Sequence, residues 1–202
     1  SQLEGLCGEY RCKDGNFDCI VPVSGGKDSS YVAYMIKHKM GLHPLCVSII
    51  PPLAFETGSK NVEAFNNAGY DLMLVSPNPK VARRIGRRGL IEHGQPQMAW
   101  MTAVQTAVFR VAVQMGIPLI MFGEEGETEY GGTTKLKDSP TYDPQFSLNI
   151  YLSGIDPKKN LEEFTAKELY WWTYPSAEDF RKSKLAIAHW SYFENWDPYQ
   201  HY

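Results

Sequence analysis

The chain has 202 residues, enough for one sizeable α/β domain with a small appendage. Hydrophobic residues make up 43% and charged residues 21%, ordinary for a globular protein, and no apolar run approaches the length that crosses a membrane. A formal net charge of −3 gives no argument for a nucleic-acid surface, and no nucleic-acid partner is expected.

No signal peptide opens the sequence, so the expected location is cytoplasmic. The first residue is Ser1, and the chain reads as one trimmed at both ends. Residues 1–16 are a polar lead-in with a helix predicted inside it. Residues 19–23 (CIVPV) form the first predicted strand, and the glycine turn SGGKDS follows at once. A helix is predicted over 29–40, with Val32, Met35 and Ile36 on one side and Gly41 as its stop. A second buried strand covers 44–50 and is broken by Pro51 and Pro52. A helix over 57–69 and a third strand over 71–75 (DLMLV) come next. Each strand is followed by a helix, which predicts an α/β fold with a doubly wound parallel sheet.

Residues 80–93 read as a basic helix weakened by Gly86 and Gly89. It would gather Arg83, Arg84, Arg87 and Arg88 on one face, for phosphate contact or simply for solvation. Residues 97–116 are apolar on nearly every side, which places that helix between layers or in a subunit interface and leaves a homodimer open. A fourth strand is predicted over 117–122, ending in the acidic loop GEEGETEYGG. Helices are predicted over 161–172 and 176–188. The second starts near a capping box, Ser176 with Asp179. The tail from His189 is unusually aromatic. The division is thus 1–16 lead-in, 17–135 main domain, and 136–202 a mostly helical, aromatic-rich C-terminal region.

Cys19 and Cys46 fall in predicted strands and read as core residues. Cys7 and Cys12 lie close together, but no second pair follows to complete a metal site.

The organising stretch is FDCIVPVSGGKDSS. A strand, a glycine turn and a helix start in that order make a phosphate cradle. Gly25 and Gly26 let the backbone turn tightly and aim N–H groups into one concavity. The helix that follows points its positive end at the same place. Lys27 adds a full charge, and Ser24 and Ser29 add hydroxyls. In an open parallel sheet, ligands sit beyond the carboxyl ends of the strands. The loop after the fourth strand ends there too. Carboxylates beside a triphosphate repel it unless a hard cation such as Mg²⁺ bridges them. Glu124, Glu127 and Glu129 are therefore candidates for holding metal, ammonia or a substrate hydroxyl, with a solvated acidic loop as the alternative. His189 and the tail aromatics, Trp190 among them, are candidates for a base and a sugar-stacking platform, or else for core.

The turn resembles the SGGxDS loop of the PP-loop ATP pyrophosphatases, whose fold is adenine nucleotide alpha hydrolase-like. DCIVPVSGGKDSSYVAY, MFGEEGETEYGG and HWSYFENWDPY together resemble the N-acetyl sugar amidotransferase family, nearest its pseudaminic acid branch. The similarity runs from about Phe17 to the end of the chain. It implies that a sugar N-acetyl oxygen attacks the α-phosphorus of ATP, pyrophosphate leaves, and ammonia then displaces AMP to give an acetamidino sugar in bacterial surface-glycan or nonulosonic acid synthesis. The substrate implied is an N-acetylated sugar, free or nucleotide-linked. Ammonia is expected from a separate glutaminase subunit, because no glutaminase Cys–His arrangement is visible.

The expected nucleotide-binding residues are Ser24, Gly25, Gly26, Lys27, Asp28, Ser29, Ser48, Gly123 and Glu124. The expected catalytic residues are Lys27, Asp28, Glu127 and Glu129, with Asp28 and Glu127 on Mg²⁺. Tyr130, Gly131, Arg84, Arg88 and Trp190 are the expected substrate contacts. The chief rival is a PP-loop tRNA-modifying enzyme, a thiolase or lysidine-type ligase. It should show a basic face and, for thiolation, a cysteine pair after the loop, where Cys46 stands alone.

Overall fold

The computed structural model describes residues 1–123, 140–141, 163–195, 197 and 199. Its centre is a parallel sheet of β1 (Cys19–Pro22), β2 (Pro44–Ile49), β3 (Asp71–Val75), β4 (Leu119–Phe122) and β5 (Ala186–His189), in the order β3-β2-β1-β4-β5. Every described pairing is parallel. The strands read as unbroken apolar runs because helices cover both faces. Alternate side chains divide between two cores. Ile20, Val47 and Ile49 join one, and Cys19, Val21 and Cys46 join the other.

On the Cys19 face lie α1 (Gln2–Glu9), α2 (Lys27–Tyr34) and α3 (Glu56–Asn67), contributing Leu6, Val32 and Phe65 to the core. α2 runs on into a π-helical turn, Met35–Lys39. On the Ile20 face lie α4 (Pro79–His93) and α5 (Met98–Met115). The fold class is the one the sequence predicts.

α5 lies between layers. Ala103, Ala107, Val108 and Phe109 are buried, and the chain from 164 to 174 covers the helix's outer side. Trp172 Nε1 donates to the Ala99 carbonyl at 2.8 Å, and Arg110 Nε to the Thr173 carbonyl at 2.7 Å. The sequence left a layer or a subunit interface open for this helix; within one chain it is a layer. Its junction with α4 is tight. A Cβ added at Gly89 would stand 2.5 Å from the Gln95 carbonyl oxygen and 2.6 Å from Met98 Cβ.

The C-terminal region differs from the sequence reading. Over 161–172 the described residues hold only a 3-10 turn, Tyr170–Trp172. The helix predicted over 176–188 stops early as α6 (Ala177–Ser183), capped at its start by Ser176 and Asp179. Lys184 takes a left-handed conformation, φ 50°, and the chain then enters β5. β5 pairs with β4 through Ala186, Ile187, Ala188 and His189, so this region supplies an edge strand of the main sheet. The short α7 (Trp190–Phe193) follows.

Buried Asp18 ties the lead-in to the sheet, accepting the backbone N–H groups of Cys12 and His43 at 2.6 Å each. All four cysteines are free thiols, and Cys19 and Cys46 are buried in strands as expected. No described helix is long and apolar enough to cross a membrane.

Candidate functional site

β1 and β4 are neighbours at the centre of the sheet, and the chain leaves them toward opposite edges. Such a switch point opens a crevice at the carboxyl ends of the two strands. Ile20 pairs with Ile120, so Val23 and Gly123, three residues further on, stand level at that edge. The glycine turn therefore occupies the crevice.

Its shape is set by contacts with α3. Gly25 has φ +79°, a conformation L side chains rarely adopt. A Cβ there would lie 3.0 Å from the Gly58 carbonyl oxygen and 3.1 Å from both Asn61 Cβ and Val62 Cγ2. Asn61 Nδ2 donates to the Gly25 carbonyl at 3.0 Å. The hydroxyls of Ser29 and Ser30 both donate to the Gly26 carbonyl, at 3.1 and 2.9 Å, which fastens the first turn of α2.

Serine hydroxyls hold the N–H groups of Ser24 and Gly26, from Ser29 at 3.3 Å and from Ser24 itself at 3.4 Å. These are long, neutral bonds. A phosphate oxygen makes shorter, charge-assisted ones and would displace them. Lys27 Nζ donates to both carboxylate oxygens of Asp28, at 2.7 and 2.8 Å, and each side chain is about a third exposed, 30% and 32%. This pair neutralises itself. An arriving polyphosphate would draw the ammonium to itself and leave the carboxylate to turn away. The loop thus brings Ser24, Gly25, Gly26, Lys27, Asp28 and Ser29 together.

Ser48 lies one residue before the end of β2, buried on the Cys46 face of the sheet. Gly123 directly follows β4, and its carbonyl accepts the Ser191 N–H at 3.1 Å. Glu124, Glu127, Glu129, Tyr130 and Gly131 lie outside the described residues. Among the described residues no group of three or more His, Cys, Asp or Glu side chains converges to hold a metal ion. Asp28 is engaged by Lys27, and Glu127, expected beside it on Mg²⁺, lies outside the described residues.

Three expected contacts change character. Arg84 pairs with Glu163 and Glu168 at 3.6 Å each and lies over the Phe164 ring at 4.1 Å. Arg88 pairs with Glu92 at 3.0 Å and Glu163 at 3.9 Å. Both arginines tie α4 to the covering chain through partly exposed ion pairs. Trp190 is 1% exposed. Its ring faces are covered by protein, so it is a core residue rather than a platform for a sugar.

His189 is equally enclosed. It stacks on Phe122 at 5.4 Å between ring centres, and burial pushes its pKa down to about 3. The imidazole is uncharged at neutral pH and too weak a base to assist proton transfer there.

Two features escape a reading of the sequence. Asn61 shapes the turn across 36 residues, and no spacing announces it. Glu194 accepts hydrogen bonds from Tyr31 of α2, at 2.7 Å, and from Trp190 Nε1, at 2.5 Å. Glu194 lies in the tail, within YFENW, and its partner is 163 residues away.

No protein-family model matches this sequence, and neither does any curated protein. Among solved structures, the predicted subunit of tRNA methyltransferase from Methanocaldococcus jannaschii is similar at 21% identity, with a TM-score of 0.41. The match covers 58% of this chain and 57% of that one, so this chain spans little more than half of that protein. A likeness of that degree says nothing about activity.

Proposed function

We propose that this chain binds ATP in the turn over residues 24–29 and uses it to adenylate the carbonyl oxygen of an N-acetyl group on a sugar. Ammonia then replaces the activated oxygen to leave an acetamidino group. The observation that carries the nucleotide reading is the turn itself: a glycine loop at the switch point, its Gly25 packed so closely on α3 that a Cβ would collide. The sugar and the ammonia come from the resemblance of the sequence to the N-acetyl sugar amidotransferases.

ATP supplies an electrophilic α-phosphorus and a good leaving group, pyrophosphate. The chain's own part is to receive the charge that develops as pyrophosphate departs. The N–H groups of Ser24 and Gly26, the α2 N-terminus and the Lys27 ammonium are the donors placed for this. Asp28 holds Lys27 when no polyphosphate does. Ser24 and Ser29 keep the loop in register through their hydroxyls. Mg²⁺ is proposed on Asp28 and Glu127, with Glu124 and Glu129 of the acidic loop as further candidates. A separate glutaminase subunit is the proposed ammonia source.

The test is to incubate the protein with ATP, Mg²⁺, ammonium and a panel of N-acetylated sugars, free and nucleotide-linked. AMP and pyrophosphate should appear together with the small mass loss of exchanging a carbonyl oxygen for NH. AMP and pyrophosphate formed only with tRNA would assign the chain to base modification instead. Absence of ATP binding would remove the nucleotide reading altogether.

A further inference from the structure

The tail after β5 reaches back to the phosphate-binding helix. Ser191 donates its N–H to the Gly123 carbonyl at 3.1 Å, which anchors α7 at the carboxyl end of β4. Glu194 ends α7. One of its oxygens accepts the Tyr31 hydroxyl at 2.7 Å, and the other accepts Trp190 Nε1 at 2.5 Å. Trp190 meets the Tyr31 ring edge-on at 6.3 Å and is buried in the core on the Cys19 face. Tyr31 is the fifth residue of α2, one helical turn beyond Lys27.

A short anchored segment thus grips α2 one turn from the residues that would meet the phosphates. Apolar packing of Val32 and Ala33 holds α2 on its core face, but such packing is non-directional. A carboxylate with one oxygen on each partner adds a directional tie, because charge-assisted bonds are short and oriented. Small displacements matter here, since donors act on developing charge only at hydrogen-bonding distance.

We propose that Glu194 is a positioning residue for the phosphate-binding turn: by joining Tyr31 to Trp190 it fixes the height and rotation at which Lys27 and the loop N–H groups meet a nucleotide polyphosphate. This rests on ATP being held by residues 24–29.

The experiment is calorimetric titration with MgATP, and separately with inorganic pyrophosphate. The proteins are the unaltered chain, Glu194→Ala, Glu194→Gln, Tyr31→Phe and the double variant Glu194→Ala with Tyr31→Phe, each well below its own melting temperature. Losing a hydrogen bond to a charged group predicts about tenfold weaker binding of both probes to Glu194→Ala and to Tyr31→Phe. The double variant should lose little more than either single one, because both break the same link. Glu194→Gln keeps an acceptor for Trp190 and an amide for Tyr31, so it should bind within about threefold of the unaltered chain. Tyr31→Phe removes one oxygen and guards against a variant that merely fails to fold. Equal affinities across the series, with only melting temperatures moved, would reduce Glu194 to a structural brace and overturn the proposal. An unaltered chain that binds neither probe would take the ATP reading down, and this inference with it.

Discussion

Asn61 of α3 donates its side-chain amide to the Gly25 carbonyl at 3.0 Å, across a contact where Gly25 has no room for a side chain. The glycine turn is therefore not a free loop. Its outer wall is α3, and the turn keeps its concave shape before any ligand arrives.

Replacing Gly25 with alanine should cost stability and binding together. The φ of +79° alone carries about 1–2 kcal/mol for an L residue, before the contacts at 3.0 and 3.1 Å are counted. Urea unfolding should show that loss, and MgATP affinity should fall at temperatures where the variant is fully folded. Gly25→Ala with unchanged MgATP affinity would mean the nucleotide lies elsewhere.

Lys27→Ala separates chemistry from folding. Its pair with Asp28 is about a third exposed, and pairs of that kind contribute about 0–1 kcal/mol. The melting temperature should hardly move. Pyrophosphate release should fall by at least about a hundredfold, the scale of losing one donor to developing charge. Turnover that survives the change would dismiss the loop as the site.

His189 sets a pH dependence of stability. Its folded pKa lies near 3, far below the ordinary value of 6.5, because burial disfavours the charged ring. Above 6.5 both folded and unfolded forms are neutral, and this stability is fully present. As pH falls from 6.5 toward 3 the unfolded chain takes up a proton that the folded one refuses, and stability drops by about 2 kcal/mol by pH 5. Urea unfolding of the unaltered chain and of His189→Gln, at pH 7 and pH 5, isolates the effect. The unaltered chain should lose about 2 kcal/mol more than the variant between those pH values, by the same linkage. Parallel losses would mean the imidazole is more accessible than its burial suggests.

Gly89 reports on the α4–α5 junction. Alanine is the better helix former, yet its Cβ would meet the Gln95 carbonyl oxygen at 2.5 Å and Met98 Cβ at 2.6 Å. Overpacking of that kind costs about 1–3 kcal/mol, more than the propensity gain returns. Gly89→Ala should unfold at lower urea while pyrophosphate release per folded molecule stays the same, because Gly89 stands outside the proposed site.

Much of the fold is legible in the linear chain. The third strand falls at 71–75 in both readings, and the fourth helix differs by one residue at its start. These elements carry their own signals: short apolar runs, a Pro inside a helix start, a Gly at a helix end. β5 carries no such signal. LAIAHW is apolar without a period, and only hydrogen bonds to β4 make it a strand. The capping box of Ser176 and Asp179 is written in the sequence, but a cap fixes where a helix starts, not where it stops.

The strand–turn–helix order around Gly25 and Gly26 is written in consecutive residues, because its chemistry is local. Only the folded chain shows what holds that turn in place and what surrounds the distant side chains. Asn61 and Glu194 arrive from other elements, while Trp190 is sealed in the core and Arg84 and Arg88 are drawn to Glu92, Glu163 and Glu168. Burial and pairing between elements depend on how the sheet is wound, and no local stretch of sequence encodes the neighbour it will meet.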